Sequence, residues 1–270
     1  MLRRPSACQY HSNVSQGSAP NSLAARVAQI PWYHTIELPG GVVTPGANKS
    51  SLVLARLRLP ASFAGKSVLD VGAWDGFYSF EAHRRGAARV LATDSFVWEG
   101  KTWGDTKRAG FDLAREALGL TDVVEAKLID VMDLSEEALG ERFDVVLFLG
   151  ILYHLRDPIG ALERASSVCR EMLVIETETA LNWLRYPASR VFPGSELNND
   201  PSNWFSFNKA ALLSLCRGFG FNEVRVVYQT PGWRSLVRAV LGAIGVARFR
   251  QTRLSRRIVV HASRVPVAPS

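Results

Sequence analysis

Cysteine is scarce in this sequence, and no residue pattern has the spacing of a metal site. The 270 residues include three cysteines, Cys8, Cys169 and Cys216, and they form no Cys-x-x-Cys pair. This usage argues against a disulfide framework and a zinc cluster, and it is typical of a reducing compartment, so we expect a cytoplasmic location. Since no cluster of His, Asp and Glu has recognisable ligand spacing either, we expect a reaction without a metal ion.

Long apolar runs are also missing. The N-terminus continues from Met1-Leu2-Arg3-Arg4 into polar residues and lacks the apolar core of a secretory signal. The most apolar late stretch, residues 236–247, contains Arg238 and is much shorter than the roughly 20 residues that cross a bilayer. We therefore expect neither export nor a transmembrane helix.

Acidic residues are absent after position 232, whereas eight arginines occur there, and the formal net charge of the chain is +7. Such a run is either a solvated basic face or a surface for a phosphate-bearing partner, whether RNA, a phosphorylated small molecule or anionic lipid. Residues 236–253, apolar and flanked by arginines, suggest a peripheral contact with a membrane surface or a lipid-linked acceptor. The oligomeric state is unknown from the sequence.

Composition divides the chain into three parts. Residues 1–22 are rich in Ser, Asn, Gln and Pro and lack hydrophobic periodicity, which predicts a flexible N-terminal arm. Residues 23–65 read as a lead-in segment, a short helix followed by an extended stretch with turns, that packs over the core. The remainder, 66–264, is predicted to be one α/β domain with a substrate loop at 181–207 and a basic apolar insert at 233–256.

Short apolar runs alternate with helical stretches in this third part. The strand candidates are 67–71, 89–93, 124–129, 143–149, 171–176, 223–228 and 257–262. Strands joined by helices predict βαβ units with right-handed crossovers, hence a doubly wound, Rossmann-like, mostly parallel sheet with helices on both faces. We expect the last strand to be antiparallel, and a helix over 208–219 to end at Gly220.

A glycine turn follows the first of these strands. Val68-Leu69-Asp70-Val71-Gly72 leads into Ala73-Trp74-Asp75-Gly76, so Gly72 and Gly76 stand where backbone must approach a ligand. Asp94 ends the next strand, where a carboxylate can accept hydrogen bonds from both ribose hydroxyls. Asp70 and Asp75 would repel a pyrophosphate, which favours a nucleoside cofactor with a cationic sulfonium. In the alternative, Asp70 only hydrogen-bonds the loop and Asp94 only begins a turn.

This motif resembles that of the class I S-adenosylmethionine-dependent methyltransferases, and the likeness covers roughly residues 66–178. The resemblance implies S-adenosylmethionine as cofactor, with Asp94 at the ribose, Asp130 and Val131 at the adenine, and Gly150 near the transferable methyl group. The full cofactor-binding set that we predict is Asp70, Gly72, Trp74, Asp75, Gly76, Asp94, Asp130, Val131 and Gly150.

Residues 148–158, Phe-Leu-Gly-Ile-Leu-Tyr-His-Leu-Arg-Asp-Pro, resemble more narrowly the tRNA wobble-uridine carboxymethyltransferases of bacteria. Pro31-Trp32, Asn203-Trp204-Phe205 and residues 256–260 have analogues there. In that family a tyrosine and an arginine help to hold a carboxylated form of the cofactor, and Tyr153 and Arg257 are the matching positions. Arginine suits this role because its planar fork binds both oxygens of a carboxylate.

Two departures from that family favour ordinary S-adenosylmethionine over the carboxylated form. His34 stands where the family has a lysine, and Gly-Gly-Val-Val-Thr-Pro-Gly replaces a tryptophan-rich segment. The stretches at 32–37 and 199–204 resemble relatives from natural-product and glycan pathways. We therefore predict methyl transfer to a small-molecule acceptor, with tRNA wobble-uridine modification as the alternative.

Methyl transfer is an in-line displacement, so the protein mainly has to position donor and acceptor. His154 is the candidate base for a hydroxyl or an acidic carbon, although it can equally fix the loop after its strand. If the side chains alternate along the fifth strand, Glu176 and Glu178 face the same crevice. One of them could contact a substrate amine or hydroxyl, or both could be solvated carboxylates. A protein that binds the cofactor without catalysis is a third hypothesis.

Aromatic and polar residues outside the cofactor motif are the candidates for binding the acceptor. Trp32 and Trp204 are predicted as an acceptor wall, with core or lid packing as the alternative. The predicted substrate-binding set is Trp32, His34, Tyr153, Asn203, Trp204 and Arg257.

Overall fold

A computed structural model describes residues 22–100, 107–232 and 256–264. The flexible arm predicted at 1–22 and the basic insert predicted at 233–256 lie outside these residues, except for Ser22 and Arg256. The predicted membrane contact at 236–253 lies outside them as well.

The described residues form seven α-helices and eleven strands. The helices are α1 (Leu23–Ala28), α2 (Ser50–Leu57), α3 (Phe77–Arg84), α4 (Ala109–Ala117), α5 (Glu136–Leu139), α6 (Pro158–Ser167) and α7 (Lys209–Gly218). The strands are β1 (Glu37–Leu38), β2 (Val42–Val43), β3 (Ser67–Val71), β4 (Arg89–Asp94), β5 (Val124–Leu128), β6 (Phe143–Leu149), β7 (Cys169–Thr179), β8 (Ser189–Val191), β9 (Phe205–Phe207), β10 (Glu223–Gln229) and β11 (Arg256–Ser263).

One mixed sheet organises the molecule, with strand order β10-β11-β7-β6-β3-β4-β5. Strands β3 to β7 pair in parallel, and β11 is antiparallel to both β7 and β10. The predicted doubly wound sheet and its antiparallel last strand are therefore confirmed. Since β3 lies between β4 and β6, the strand order reverses there, and ligands of such folds bind at the carboxyl ends of these strands.

Burial explains why some strand predictions are accurate. Every residue of β3 is buried, and β6 is buried except at Asp144, as expected for parallel strands covered on both faces. β7 extends further than predicted, to Thr179, because its polar carboxyl end continues to pair with β11. The short strands β8 and β9 lie within the predicted substrate loop 181–207, and β9 joins the sheet through the single pair Thr179 and Phe207.

Polar caps define several helix ends. The Asn208 side chain accepts from the backbone N–H of Ala211, so the helix predicted at 208–219 is α7 with Asn208 as its N-cap. α6 begins with Pro158 directly after Asp157, whose carboxylate accepts from the N–H of Gly160. No described helix has both the length and the apolar character that crossing a membrane requires.

The lead-in segment packs against one face of the sheet. Ile36, Leu38, Leu57 and Phe63 are buried there with side chains of β3, β4 and α3. The helix α2 was not predicted from the sequence. This packing brings the start of the segment to the carboxyl end of β3, where a ligand site is expected.

Candidate functional site

A cavity of about 1020 Å³ opens at the carboxyl ends of the parallel strands. Gly72 after β3, Asp94 ending β4, Gly150 after β6 and Glu176 near the end of β7 all line it. Because ligand pockets of about 300–1,000 Å³ already enclose drug-sized molecules, this cavity has room for a cofactor and a small second ligand together.

The turn after β3 requires glycine at two positions. Gly72 has φ +74°, and a Cβ there would lie 2.6 Å from Cγ2 of Ile151 across the cavity floor. Gly76 has φ +85°, and its Cβ would meet the Phe111 ring at 2.6 Å. Only glycine adopts this backbone freely and leaves the floor open to a ligand. Gly72 lines the cavity, whereas Gly76 lies behind it as the N-cap of α3.

Trp74 covers one side of this turn. Its φ of 51° is unusual for a bulky residue, and its ring stacks on Tyr33 with centroids 4.2 Å apart. Its backbone N–H donates to Oδ2 of Asp94 at 3.1 Å, and Oδ1 of Asp94 accepts from Val97 at 3.0 Å. Asp94 therefore ties the loop after β3 to the loop after β4, and burial raises the pKa of its carboxyl group.

Asp70 and Asp75 lie behind the cavity wall and do not line it. The Ser79 hydroxyl donates to Oδ2 of Asp70 at 2.6 Å, and burial raises the pKa of Asp70 to about 7. Oδ2 of Asp75 accepts the backbone N–H groups of Tyr33 at 2.7 Å and His34 at 2.9 Å, and burial raises the pKa of Asp75 to about 6. Asp75 thus holds the lead-in segment at the cavity, while a direct contact of either carboxylate with a ligand stays a prediction.

The turn after β5 forms the far end of the cavity, where Asp130 and Val131 are lining residues. Oδ1 of Asp130 accepts from the N–H of Met132 at 2.9 Å, and its Oδ2 accepts from the Ser95 hydroxyl at 2.9 Å. Polar groups of Asp130 and Ser95 thus lie beside the apolar side chain of Val131, which is compatible with the predicted adenine site.

The opposite end of the cavity contains the Arg257 cluster, which consists of Arg257 and the three side chains that it contacts, Glu176, Glu178 and Tyr153. Nη1 of Arg257 donates to both carboxylate oxygens of Glu176, at 3.0 and 2.7 Å. Nε donates to Oε1 of Glu178 at 3.0 Å, and Nη2 donates to the Tyr153 hydroxyl at 2.9 Å. One guanidinium faces two carboxylates, so the cluster has a net charge of −1 when both are ionised. Burial raises the pKa of Glu176 although Arg257 opposes this shift.

Gly150 connects this cluster to the rest of the cavity. A Cβ built on Gly150 would lie 3.8 Å from Oε2 of Glu176 and 3.8 Å from the Tyr153 hydroxyl. The predicted position of the transferable methyl group is therefore bordered by the anionic cluster.

His154 stands at the side of the cavity, in the short turn after β6. Its Nδ1 lies 3.0 Å from Oγ and 3.3 Å from the carbonyl oxygen of Ser202. Burial lowers the pKa of His154, so the ring is neutral at pH 7. A neutral imidazole is the form that can accept a proton.

The structure separates the two predicted tryptophans. Trp204 lines the cavity and stacks with Arg156, whose Cζ lies 4.2 Å from the ring centroid. Trp32 lies in the core instead, because its Nε1–H donates to the carbonyl oxygen of Val27 at 2.8 Å and its ring packs beneath the cavity wall. Of the two alternatives for Trp32, the structure thus supports core packing.

His34 and Asn203 both line the cavity with buried side chains. Nδ1 of His34 has no hydrogen-bond partner among the described residues, and burial lowers its pKa to about 3. Nδ2 of Asn203 donates to the carbonyl oxygen of Leu197 at 2.8 Å. No group of three or more potential metal ligands occurs in the described parts of the chain.

A family model described as a methyltransferase domain matches residues 48–226. The chain belongs to this methyltransferase family. The family prediction is confirmed, and the cavity lies within the matched region and the segments that flank it.

Curated relatives share part of the chain. The tRNA U34 carboxymethyltransferase of Cellvibrio japonicus is 30% identical over 180 residues, which are 63% of this chain and 50% of that protein. The protein of the same name from Campylobacter jejuni is 27% identical over 169 residues, 60% of this chain and 51% of its own length. The chain spans about half the length of these relatives.

Solved structures show the same fold. The N-terminal domain of EvdMO1, determined in the presence of S-adenosylhomocysteine and D-fucose, has a TM-score of 0.63 at 19% identity and covers 89% of this chain and 95% of that chain. The [4+2]-cyclase SpnF has a TM-score of 0.55 at 18% identity, covering 90% and 93%. At these identities the comparison supports the class I fold of the methyltransferase.

Several cavity residues of this methyltransferase were not predicted. Tyr33 is adjacent to the predicted Trp32, and Asp200 and Ser202 lie inside the predicted substrate loop 181–207, where Asn203 and Trp204 were the residues singled out. A polar turn next to a predicted substrate residue was the available signal. The contact of Ser202 with His154 could not be predicted from the sequence because it joins residues 48 positions apart.

Proposed function

We propose that the protein is an S-adenosylmethionine-dependent methyltransferase that modifies a small molecule at a hydroxyl or an acidic carbon. The observation that carries this proposal is the single cavity that joins the glycine turn and Asp94 at one end to His154 and the Arg257 cluster at the other. A nucleoside cofactor and an acceptor can then meet beside Gly150.

The residues present fit the cofactor. Gly72 leaves open a floor that a Cβ would close, and Asp94 lines the cavity at the end of β4, with a carboxylate that would bind the ribose. S-adenosylmethionine, when bound, would supply a methyl group activated by its sulfonium, with the sulfur as leaving group. Asp130 and Val131 would hold the adenine, and the anionic cluster beside Gly150 favours a positive charge near the methyl position.

The Arg257 cluster favours ordinary S-adenosylmethionine over its carboxylated form. Arg257 already donates to Glu176 and Glu178, so a cofactor carboxylate would have to displace one of them or meet the net charge of −1. At a separation of about 6 Å and an effective dielectric constant of about 20, one like charge costs roughly 3 kcal/mol.

His154 is the proposed base. Its neutral ring lines the same cavity as Gly150, so we propose that it takes the proton from the acceptor as the new bond forms. Neither Glu176 nor Glu178 is as suitable, because Arg257 occupies oxygens of both carboxylates that would have to accept the proton.

The loop over the cavity favours a small acceptor. Asn198, Asp200 and Trp204 come from this loop and line the same cavity as the cofactor residues. The names of the curated relatives favour tRNA as the alternative acceptor. Binding to tRNA that weakens steeply with salt would support that alternative, since phosphate contacts release counterions.

Transfer of labelled methyl groups distinguishes these acceptors. The purified protein is incubated with methyl-labelled S-adenosylmethionine, bulk tRNA and a deproteinised cell extract, and tRNA is then separated from small molecules. We expect label in the small-molecule fraction, lost in Asp94→Asn and kept in Glu163→Gln, an exposed carboxylate on α6. Label in tRNA contradicts the small-molecule proposal, and cofactor binding without transfer to either fraction contradicts the enzyme.

A further inference from the structure

We propose that Asp200 and Ser202 are positioning residues that set the tautomer of His154 and leave its Nε2 free to accept the acceptor's proton. The inference rests on the proposed function, in which His154 is the base. It concerns two residues of the substrate loop that form one hydrogen-bonded chain with the ring.

The direction of the hydrogen bonds follows from the donors available. Oδ1 of Asp200 lies 2.7 Å from Oγ of Ser202, and an ionised carboxylate can only accept. The single hydroxyl hydrogen of Ser202 therefore points to Asp200. Oγ of Ser202, 3.0 Å from Nδ1 of His154, must then act as the acceptor at that contact.

The second contact of Nδ1 supports the same assignment. The carbonyl oxygen of Ser202 lies 3.3 Å from Nδ1 and is an acceptor without exception. Two acceptors face this nitrogen, so Nδ1 carries the hydrogen in the neutral ring and Nε2 keeps its lone pair.

Backbone contacts hold the chain of groups in place. The N–H of Ser202 donates to Oδ1 of Asp200 at 2.9 Å, and the N–H of Asn203 donates to the Asp200 carbonyl oxygen at 3.2 Å. The N–H of Trp204 donates to the Tyr153 carbonyl oxygen at 2.8 Å, which ties the loop to the turn that bears His154. These hydrogen bonds fix the position of the His154 ring relative to Asp200 and Ser202.

The charges around His154 suit a base. Burial is the main cause that lowers the pKa of His154, and Arg257 lowers it further, whereas Asp200 raises it. The centroids of the Tyr153 and His154 rings lie 4.3 Å apart. When Nε2 takes the acceptor's proton, the ring becomes an imidazolium, and Asp200 stabilises it through Ser202 while remaining ionised itself. The proton then leaves from Nε2 to solvent, and the ring returns to its starting tautomer.

A turn that merely closes the loop would use the same Asp200 and Ser202 contacts, so the test needs a readout on the ring. Long-range ¹H–¹⁵N spectra of the full-length protein labelled at histidine report which ring nitrogen carries hydrogen, and His154→Gln assigns the signal. We expect the Nδ1–H tautomer in the wild type. In Asp200→Asn we expect a mixture of tautomers and a lower pKa of His154, because the carboxylate that raises this pKa is lost.

Matched variants complete the test. Asp200→Asn and Ser202→Ala should each lower kcat about tenfold, with a smaller change in KM, because the partner that orients His154 is lost. Glu196→Gln removes an exposed carboxylate from the same loop and should change neither the spectrum nor the rate.

The outcomes separate this inference from the proposed function. An Nε2–H tautomer in the wild type, or an unchanged His154 signal in both variants, overturns the positioning role whether or not methyl transfer occurs. An active protein in which His154→Gln keeps full turnover also overturns it, while leaving the methyltransferase proposal intact. Absence of any transfer in the wild type with the expected spectra contradicts the proposed function instead.

Discussion

Arg257→Met removes the guanidinium that donates to both carboxylate oxygens of Glu176 and to Glu178, while keeping an apolar side chain of similar reach. Breaking a buried ion pair typically costs about 3–5 kcal/mol because an uncompensated charge stays behind. The Arg257 side chain is 32% exposed to the cavity, so water replaces part of the lost interaction. We therefore expect a loss of about 2–3 kcal/mol in the free energy of unfolding.

The pH dependence of this loss identifies its cause. Without Arg257 the folded-state pKa of Glu176 rises further above its unfolded value. A raised folded-state pKa contributes stability below the unfolded pKa, and this contribution is lost as the pH rises through the folded pKa. Arg257→Met should therefore be more destabilised at pH 8 than at pH 5.

Urea unfolding at the two pH values measures the effect, with Arg26→Met as a matched control. Arg26 forms an exposed pair with Glu116 and should show no resolvable change. The double variant Arg257→Met/Glu176→Gln should recover part of the loss, since it removes one of the stranded charges. An equal loss at pH 5 and pH 8, or a variant as stable as the wild type, would refute the reasoning.

Three further predictions concern the cavity. Gly72→Ala should lower the free energy of unfolding by about 1–3 kcal/mol and weaken S-adenosylhomocysteine binding, because the new Cβ would meet Ile151. Gly65 has a similar positive φ but open space around its Cβ position, so Gly65→Ala should show only the smaller backbone cost. Equal effects of the two variants in urea unfolding and calorimetry would contradict this prediction. Since burial raises the folded-state pKa of Asp70 to about 7, the stability of the fold should fall as the pH rises from about 4 to 7. Asp70→Asn should flatten this decline of the melting temperature with pH. An unchanged pH dependence in the variant would mean that Asp70 does not cause the decline. Trp204→Ala should raise KM for the acceptor about fivefold or more with little change in cofactor affinity. Initial rates measure the first quantity and calorimetry the second. A change in cofactor affinity alone would mean that Trp204 contacts the cofactor and not the acceptor.

The strands of the sheet were predictable because each is marked by a pattern of neighbouring residues in the sequence. β3 and β6 have the predicted bounds, since each is a mostly apolar run that is followed by a glycine and is almost wholly buried. The exposed strand β8 carries no such pattern, and the sequence therefore predicted only a loop there.

The candidate site was predictable only in part. Alternation along β7 places Glu176 and Glu178 on one face, but only the register of β11, with Arg257 opposite Glu178, brings the guanidinium between them. The partners of His154 depend on the path of a loop, which local propensity does not determine. Trp32 illustrates the same limit, since its place in the core depends on a hydrogen bond to Val27.

Calorimetric titration of the wild-type protein with S-adenosylmethionine and with its carboxylated derivative tests the central claim most directly. If Arg257 stays bound to Glu176 and Glu178, the added carboxylate meets a net negative cluster, and S-adenosylmethionine binds at least about tenfold more tightly, or about 1.4 kcal/mol. Tighter binding of the carboxylated derivative would contradict the claim, because it would mean that Arg257 releases its glutamates to hold the cofactor.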